Sequence, residues 1–212
     1  MARFVEVDAV DEAPDSWVAR VCRALAAGAI LAHPTTSVYG IGGAAEESAA
    51  RVSAMKSRAG AVPILRLVRD ARRLRELHPG IRWNAEAERL ANAFWPGPLT
   101  LVLDDGTAAG IAARVEAHPL TRRLLSSFEG EIGSTSLNLS GEPPATTPAE
   151  ARRTLAEMAD PGVAVLLLCG GDLQGPPTST LLSLRGERPR LLRAGAVTRS
   201  EIETALGHEL EG

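Results

Sequence analysis

Lysine is almost absent from this chain: of 23 basic residues only Lys56 is a lysine, and all the others are arginine. Aromatic side chains make up only 3% of the sequence, so a core has to be assembled from Ala, Val, Leu and Ile. With 45% apolar residues in 212 positions there is enough of them for a sizeable core. An excess of positive charge is also missing. The net charge is −3, with both signs interspersed. That argues against strong non-specific nucleic-acid binding, which rests on a basic face neutralising phosphates; a local basic cleft stays open. The two cysteines, Cys22 and Cys169, lie in apolar contexts without metal-ligand spacing and read as buried free thiols of a reducing compartment. The first residues, MARFVEVDAVDEAPDS, are acidic and lack the apolar stretch of a signal peptide. The longest apolar run, VAVLLLC at 163–169, is far too short to span a bilayer. A soluble, cytoplasmic protein is expected.

What is present is an alternation of strand-like and helix-like segments from end to end. RFVEV (3–7) and AILAH (29–33) read as strands, the second broken by Pro34. Between them DSWVARVCRALAAG reads as a helix, with Asp15 as N-cap and Gly28 as the stop. PTTSVYGIGGAA reads as a loop, followed by a helix, EESAARVSAMK, that ends near Lys56. Further strands are expected at 62–68, 99–104, 110–115, 163–169, 178–184 and 189–193. Helices are expected in DARRLRELH, NAEAERLANAFW (closed by WPGP) and PLTRRLLSSF. Two more carry capping boxes, Thr147 to Glu150 and Thr198 to Glu201. EIGSTS leads into the loop LNLSGEPPA, and the last two strands form a hairpin around Arg185–Gly186. The order implies an α/β, mixed α+β fold in one domain, residues 1–212.

Familiar catalytic signatures are missing. No Gly-rich run ends in Gly-Lys-Ser/Thr, and GIGG (40–43) is not a dinucleotide fingerprint because position 45 is alanine. His33, His78, His118 and His208 are scattered and read as structural. What remains are small-hydroxyl, Gly- and Pro-rich stretches at strand ends: HPTTSVYG, GSTSLNLSG and GPPTST. Each by itself suits a turn with local side-chain capping. Together, with Asn138, they supply hydroxyls, an amide and backbone N–H groups for phosphate, ribose or carboxylate oxygens. Lys56, Arg58, Arg114 and Arg193 near segment ends add positive charge for an anion. Lys56 has two readings. It is either a compact ammonium between phosphate oxygens, where a guanidinium is too bulky, or a solvated residue complementing a helix dipole.

Several of these stretches resemble one family. HPTTSVYGIGG is similar to the Pro-Thr-Asp-Thr-x-Tyr-Gly segment of the YrdC/TsaC family of threonylcarbamoyl-AMP synthases. KSRAGAVPI resembles its Lys-x-Arg…Pro-Leu stretch, and FWPGPLTLVL its Trp-Pro-Gly-Pro-Leu-Thr signature. ARVEAH resembles Arg-Val-Pro-x-His, and STSLNLSG resembles Ser-x-Asn-x-Ser-Gly. TSTLLSL followed by LLRAG resembles the terminal Ser-Thr and Leu-Arg-x-Gly elements. Six segments in one order, spanning about residues 17–206, are far more specific than any one motif. The resemblance implies a twisted, mixed parallel and antiparallel sheet around an open electropositive cavity. It implies condensation of ATP, L-threonine and bicarbonate to threonylcarbamoyl-AMP and pyrophosphate, for threonylcarbamoylation of tRNA. Carried over by position, Lys56 and Arg58 would be the catalytic cations and would hold ATP with Ser136, Asn138 and Arg193. Thr35, Ser37, Arg114, Ser134 and Ser179 would line the threonine side. Mg²⁺ would arrive on the triphosphate, without a dedicated protein cage.

Four positions depart from that pattern: Thr36 replaces an aspartate, Ser37 a threonine, Leu137 an alanine and Glu116 a proline. The chain also has no room for the extra C-terminal domain of longer members, so it resembles the short form that passes its product to a separate transferase complex. Three rivals stay open: a double-stranded-RNA-binding protein, a nucleotide-binding paralogue without turnover, and a carbamoyltransferase module. The last occurs in much longer zinc-finger chains, and no zinc spacing exists here. GGDLQGPPT (170–178) is rich enough in Gly and Pro to order upon a ligand.

Overall fold

A computed structural model describes residues 4–9, 14–44, 47–56, 64–158, 162, 164–175 and 177–211. Arg58 and most of the stretch around it lie outside these residues. The described strands are β1 (Phe4–Asp8), β2 (Ile30–Pro34), β3 (Tyr39–Gly43), β4 (Leu65–Leu67), β5 (Leu99–Leu103), β6 (Ile111–Arg114), β7 (Ile132–Ser136), β8 (Val165–Cys169), β9 (Thr180–Ser183) and β10 (Arg190–Arg193). The helices are α1 (Pro14–Ala26), α2 (Glu47–Met55), α3 (Ala71–Leu77), α4 (Ala85–Phe94), α5 (Pro119–Ser127), α6 (Pro148–Met158) and α7 (Arg199–Leu206). The expected mixed α/β class is borne out, with parallel and antiparallel pairings side by side. The contacts divide the chain into two units, Met1–Ile64 with His118–Gly175, and Leu65–Ala117 with Pro176–Gly212.

In the first unit the strand order is β1-β8-β2-β3-β7. β8 is parallel to β1 and β2, while β3 is antiparallel to both β2 and β7. One sheet face packs Ile30, Ala32, Tyr39 and Ile41 against Val52 and Met55 of α2 and Leu155 of α6. β3 corrects an expectation: YGIGG is a buried strand, not part of a loop. Glycine hides this from pattern reading, because it has low strand propensity and no side chain to show alternation. The space requires it nonetheless. A Cβ on Gly42 would sit 1.6 Å from the Gly133 carbonyl oxygen on β7. The turn into β3 is closed by Thr35, whose hydroxyl donates to the Val38 carbonyl at 2.6 Å and accepts from the Val38 N–H at 3.3 Å. α1 begins at Pro14, so Asp15 lies inside the helix rather than at its cap. Pro suits a first helical turn, where an N–H has no partner to lose.

In the second unit the order is β4-β6-β5-β9-β10. β6 and β5 are antiparallel, β5 and β9 parallel, and the hairpin of β9 and β10 forms as expected, with a register break between Leu191 and Arg193. The core joins Leu74 of α3, Leu90 of α4, Leu99 and Leu101 of β5, Leu182 of β9 and Ile202 of α7. Both expected capping boxes are present: Thr147 with Glu150 at α6 of the first unit, and Thr198 with Glu201 at α7. WPGP ends α4, and the Gly97 N–H turns to the Val115 carbonyl. No helix among the described residues is long and apolar enough to cross a membrane.

Candidate functional site

In the first unit, α2 delivers Lys56 at its end, with the Lys56 N–H still bonded to the Val52 carbonyl. The side chain is 1% exposed, which removes the solvated reading of this lysine. Its Nζ donates to the Ser136 carbonyl at 2.6 Å and to Asn138 Oδ1 at 2.9 Å. Ser136 Oγ donates to the same amide oxygen at 2.6 Å. Asn138 Nδ2 in turn donates to the carbonyls of Leu139 and Glu142 at 2.9 and 2.8 Å. Asn138 therefore ties the loop after β7 to the ammonium, and its own amide is satisfied on both sides.

The partners across β3 are set by register. His33 and Ser136 both oppose Gly40, and Ser134 opposes Gly42, so these side chains share one sheet face. His33 Nε2 lies 3.0 Å from Ser134 Oγ. Thr35 and Ser37 sit in the turn preceding β3, both buried, with the Thr35 hydroxyl committed to that turn. Thr36 is half-buried beside them. Tyr39 is buried on the opposite face, and burial pushes its phenol pKa up. Its hydroxyl donates to the Gly171 carbonyl and accepts from the Gly170 N–H. With Leu173 N–H on the Thr146 carbonyl and Gly175 N–H on the Ser37 carbonyl, residues 170–175 are fastened to their own unit at four points.

In the second unit, β6 ends in Arg114, a buried guanidinium paired with the fully buried Glu116 at 2.6 Å. Glu116 Oε1 also accepts the Ala117 N–H. Burial holds the Arg114 pKa below its ordinary value; the Glu116 carboxylate opposes that, and the nearby Arg193 adds to it. Arg114 Nε is buried with no acceptor among the described residues. Arg193, exposed on β10, donates through one terminal nitrogen to the Ser179 carbonyl at 2.8 Å and to Ser179 Oγ at 3.2 Å. Thr100 Oγ1 donates to Ser179 Oγ as well, at 3.2 Å. Ser179 Oγ thus accepts twice, leaving its own proton to donate elsewhere. Gly195 permits this arrangement: a Cβ there would lie 2.3 Å from the Thr178 carbonyl oxygen.

The expected residues therefore fall into two clusters: Lys56, Ser136, Asn138, Thr35, Ser37 and Ser134 in the first unit, and Arg114, Ser179 and Arg193 in the second. Arg58 lies outside the described residues. Sequence reading passed over His33, Glu116 and Thr100 as partners of these groups. The available signals were positional: His33 precedes the Pro-Thr turn, and Glu116 lies two residues past Arg114. Among the described residues, no three His, Cys, Asp or Glu side chains are grouped to hold a metal ion. Cys22 and Cys169 are not in disulfides and are half-buried rather than buried.

The family model Sua5_yciO_yrdC, described as "Telomere recombination", matches residues 23–195. The threonylcarbamoyl-AMP synthase of Pyrococcus abyssi is 31% identical over 210 residues, covering 93% of this chain, which spans only 60% of that protein. The threonylcarbamoyl-AMP synthase of Chromohalobacter salexigens is 38% identical over 164 residues, covering 72% of this chain and 84% of its own length. The crystal structure of P. abyssi Sua5 complexed with L-threonine is similar at a TM-score of 0.83 and 27% identity, covering 98% of this chain and 62% of that one.

Proposed function

The chain belongs to the Sua5/YciO/YrdC family, and from that premise we propose that it is an L-threonylcarbamoyladenylate synthase. The reaction condenses ATP, L-threonine and bicarbonate to threonylcarbamoyl-AMP and pyrophosphate. The match over residues 23–195 runs through both units and supports treating them as one family domain. One observation carries the mechanistic reading. Lys56 is the sole lysine of the chain, it is 1% exposed, and its ammonium is anchored on Ser136 and Asn138. Burying an ammonium costs free energy that a merely structural position would avoid.

In this proposal threonine's neutral amine combines with bicarbonate to give a carbamate and water. A carbamate oxygen then attacks the α-phosphorus of ATP and pyrophosphate leaves, which makes the enzyme a nucleotidyltransferase. The step needs alignment and charge neutralisation more than a titrating side chain. Lys56 and Arg58 would neutralise phosphate charge, with Ser136 and Asn138 aligning the nucleotide, and the family resemblance assigns Arg193 to ATP as well. By the family resemblance, Thr35, Ser37, Ser134, Arg114 and Ser179 would be the residues for threonine. The donors left over at Arg114 Nε and Ser179 Oγ suit a carboxylate. Mg²⁺ would come with the triphosphate, a role in which phosphate oxygens and water supply most ligands. The product would pass to a separate transferase complex acting on tRNA in the cytoplasm. P. abyssi Sua5 binds L-threonine, which supports the substrate assignment.

The test is pyrophosphate release from ATP, with and without threonine and bicarbonate, together with mass spectrometry of the quenched mixture. Turnover should require both co-substrates, yield the threonylcarbamoyl adenylate, and fall at least ~100-fold in Lys56→Ala. ATP binding without threonine-dependent turnover would overturn the synthase and favour a nucleotide-binding paralogue, with Thr36 as its distinguishing residue.

A further inference from the structure

Two guanidinium groups of the second unit share one carboxylate. Arg193 lies near enough to act on Arg114 as a like charge, and its own bonds go to Ser179, a neutral partner. Among the described residues Glu116 is the sole acid paired with either arginine. The cluster therefore holds one positive charge more than it neutralises, at a place where Arg114 is buried and Glu116 fully so. Glu116 Oε2 sits 2.6 Å from Arg114 Nη2, while Glu116 Oε1 accepts the Ala117 N–H at 2.9 Å. A carboxylate facing a guanidinium commonly spans two of its nitrogens. Here Nε is left over, buried and with no acceptor among the described residues. Such an N–H costs stability until an acceptor arrives, and the surplus positive charge favours an anionic one. Arg193 is exposed and marks the side of the cluster that water reaches. Position 116 is also one of the four at which this chain departs from the family pattern.

We propose that Glu116 is a positioning residue that holds Arg114 through Nη2, leaves Nε for the carboxylate of a ligand, and by its own charge sets how tightly that carboxylate is held. Removing the charge while keeping the shape should tighten the site for carboxylates. A merely structural glutamate would lose stability on the same change and gain no affinity. The inference rests on the reading above for the ligand being threonine, while the sharing of Arg114 with a carboxylate does not.

The probe is acetate, exchanged for chloride at constant ionic strength, because screening by itself matters little at a buried pair. In Glu116→Gln the exchange should raise the folding equilibrium constant, read from urea denaturation, at least about fivefold more than in the parent. The double variant Arg114→Met with Glu116→Leu lacks the guanidinium and should respond no more than the parent. Equal responses in Glu116→Gln and the parent, or an undiminished response in the double variant, would overturn the inference. If Glu116→Gln does not fold in chloride, acetate should restore its folding, and no restoration overturns the inference equally. Calorimetric titration with L-threonine is the second readout. Its Kd should be about tenfold lower in Glu116→Gln and within about threefold of the parent in Glu116→Asp, which keeps the charge. Equal tightening in Glu116→Asp would refute the role of charge. An acetate response without tighter threonine binding would refute the placement of threonine at Arg114 and leave the role of Glu116 standing.

Discussion

The two units handle a comparable serine in different ways. Ser134 in the first unit meets an imidazole, and its neighbours Lys56, Ser136 and Asn138 are linked through amide, hydroxyl and carbonyl oxygens. Ser179 in the second unit is held by a guanidinium, close to a second guanidinium that is paired with a carboxylate. The first arrangement depends on space, since three strands have to bring small groups together over glycine. The second depends on charge, since Arg114 is tolerable in the interior only with Glu116 beside it. The difference shows that hydroxyl-lined loops that look alike in sequence acquire different hydrogen-bond partners from whatever their strands place next to them.

Gly42→Ala should break the spatial side of this comparison most severely. Its Cβ would fall 1.6 Å from a backbone oxygen, which no rotamer change can relieve. A loss of more than about 3 kcal/mol in urea denaturation is expected; a loss below 1 kcal/mol, by the same order-of-magnitude reckoning, would mean that β3 can shift freely. Glu116→Gln tests the charged side. It leaves a buried guanidinium without its carboxylate and should cost about 3 kcal/mol, with little dependence on salt. Replacing both partners by apolar residues, Arg114→Met with Glu116→Leu, should recover most of that stability while abolishing any carboxylate binding at Arg114. If the double variant is as unstable as the single one, Glu116 has a structural role apart from Arg114.

Arg193→Met should have a smaller effect, about 1 kcal/mol or less, because its guanidinium is exposed and water can replace the bonds to Ser179. A loss as large as that of Glu116→Gln would erase the distinction between buried and exposed charge in this unit. The smallest effect is an acid one shared by both units. The Glu150 and Glu201 carboxylates are held below the ordinary 4.5 by hydrogen bonds from Thr146, just before the cap of α6, and from Thr198, the cap of α7. A depressed carboxylate contributes stability above its unfolded pKa and loses it as pH falls through the lower folded value. The urea midpoint should therefore be flat from pH 7 to about 5 as far as these groups contribute, then decline below about 4.5. Glu150→Gln should flatten that decline; an unchanged acid slope would mean that the box at α6 is not formed in solution.

Much of the fold was legible from local chemistry. The hairpin around Arg185–Gly186, both capping boxes and the WPGP stop depend on residues within a few positions of one another, where dihedral preference and short hydrogen bonds decide the outcome. β3 was not legible. Its glycines carry no periodicity, and the reason for them is Gly133, about ninety residues away. Lys56 was singled out by composition, but its burial and its attachment to Asn138 were not visible there. His33 reads as an isolated histidine until β3 puts Ser134 across from it. Glu116 reads as a substituted position until the backbone after β6 turns its carboxylate onto Arg114.

The sequence by itself determined the α/β class, most helix ends, the order of the six family-like segments and the identity of the lone lysine, because each of these is written in composition or in contacts of short range. Only the tertiary structure decided that YGIGG is a central strand of its unit, that Ser134 faces an imidazole while Ser179 faces a guanidinium, and that Arg114 is half-committed to Glu116. Those outcomes depend on which strands become neighbours and in what register. Register is set by burial and close approach between residues far apart in the chain, and a one-residue slip would turn every one of these side chains to the opposite face.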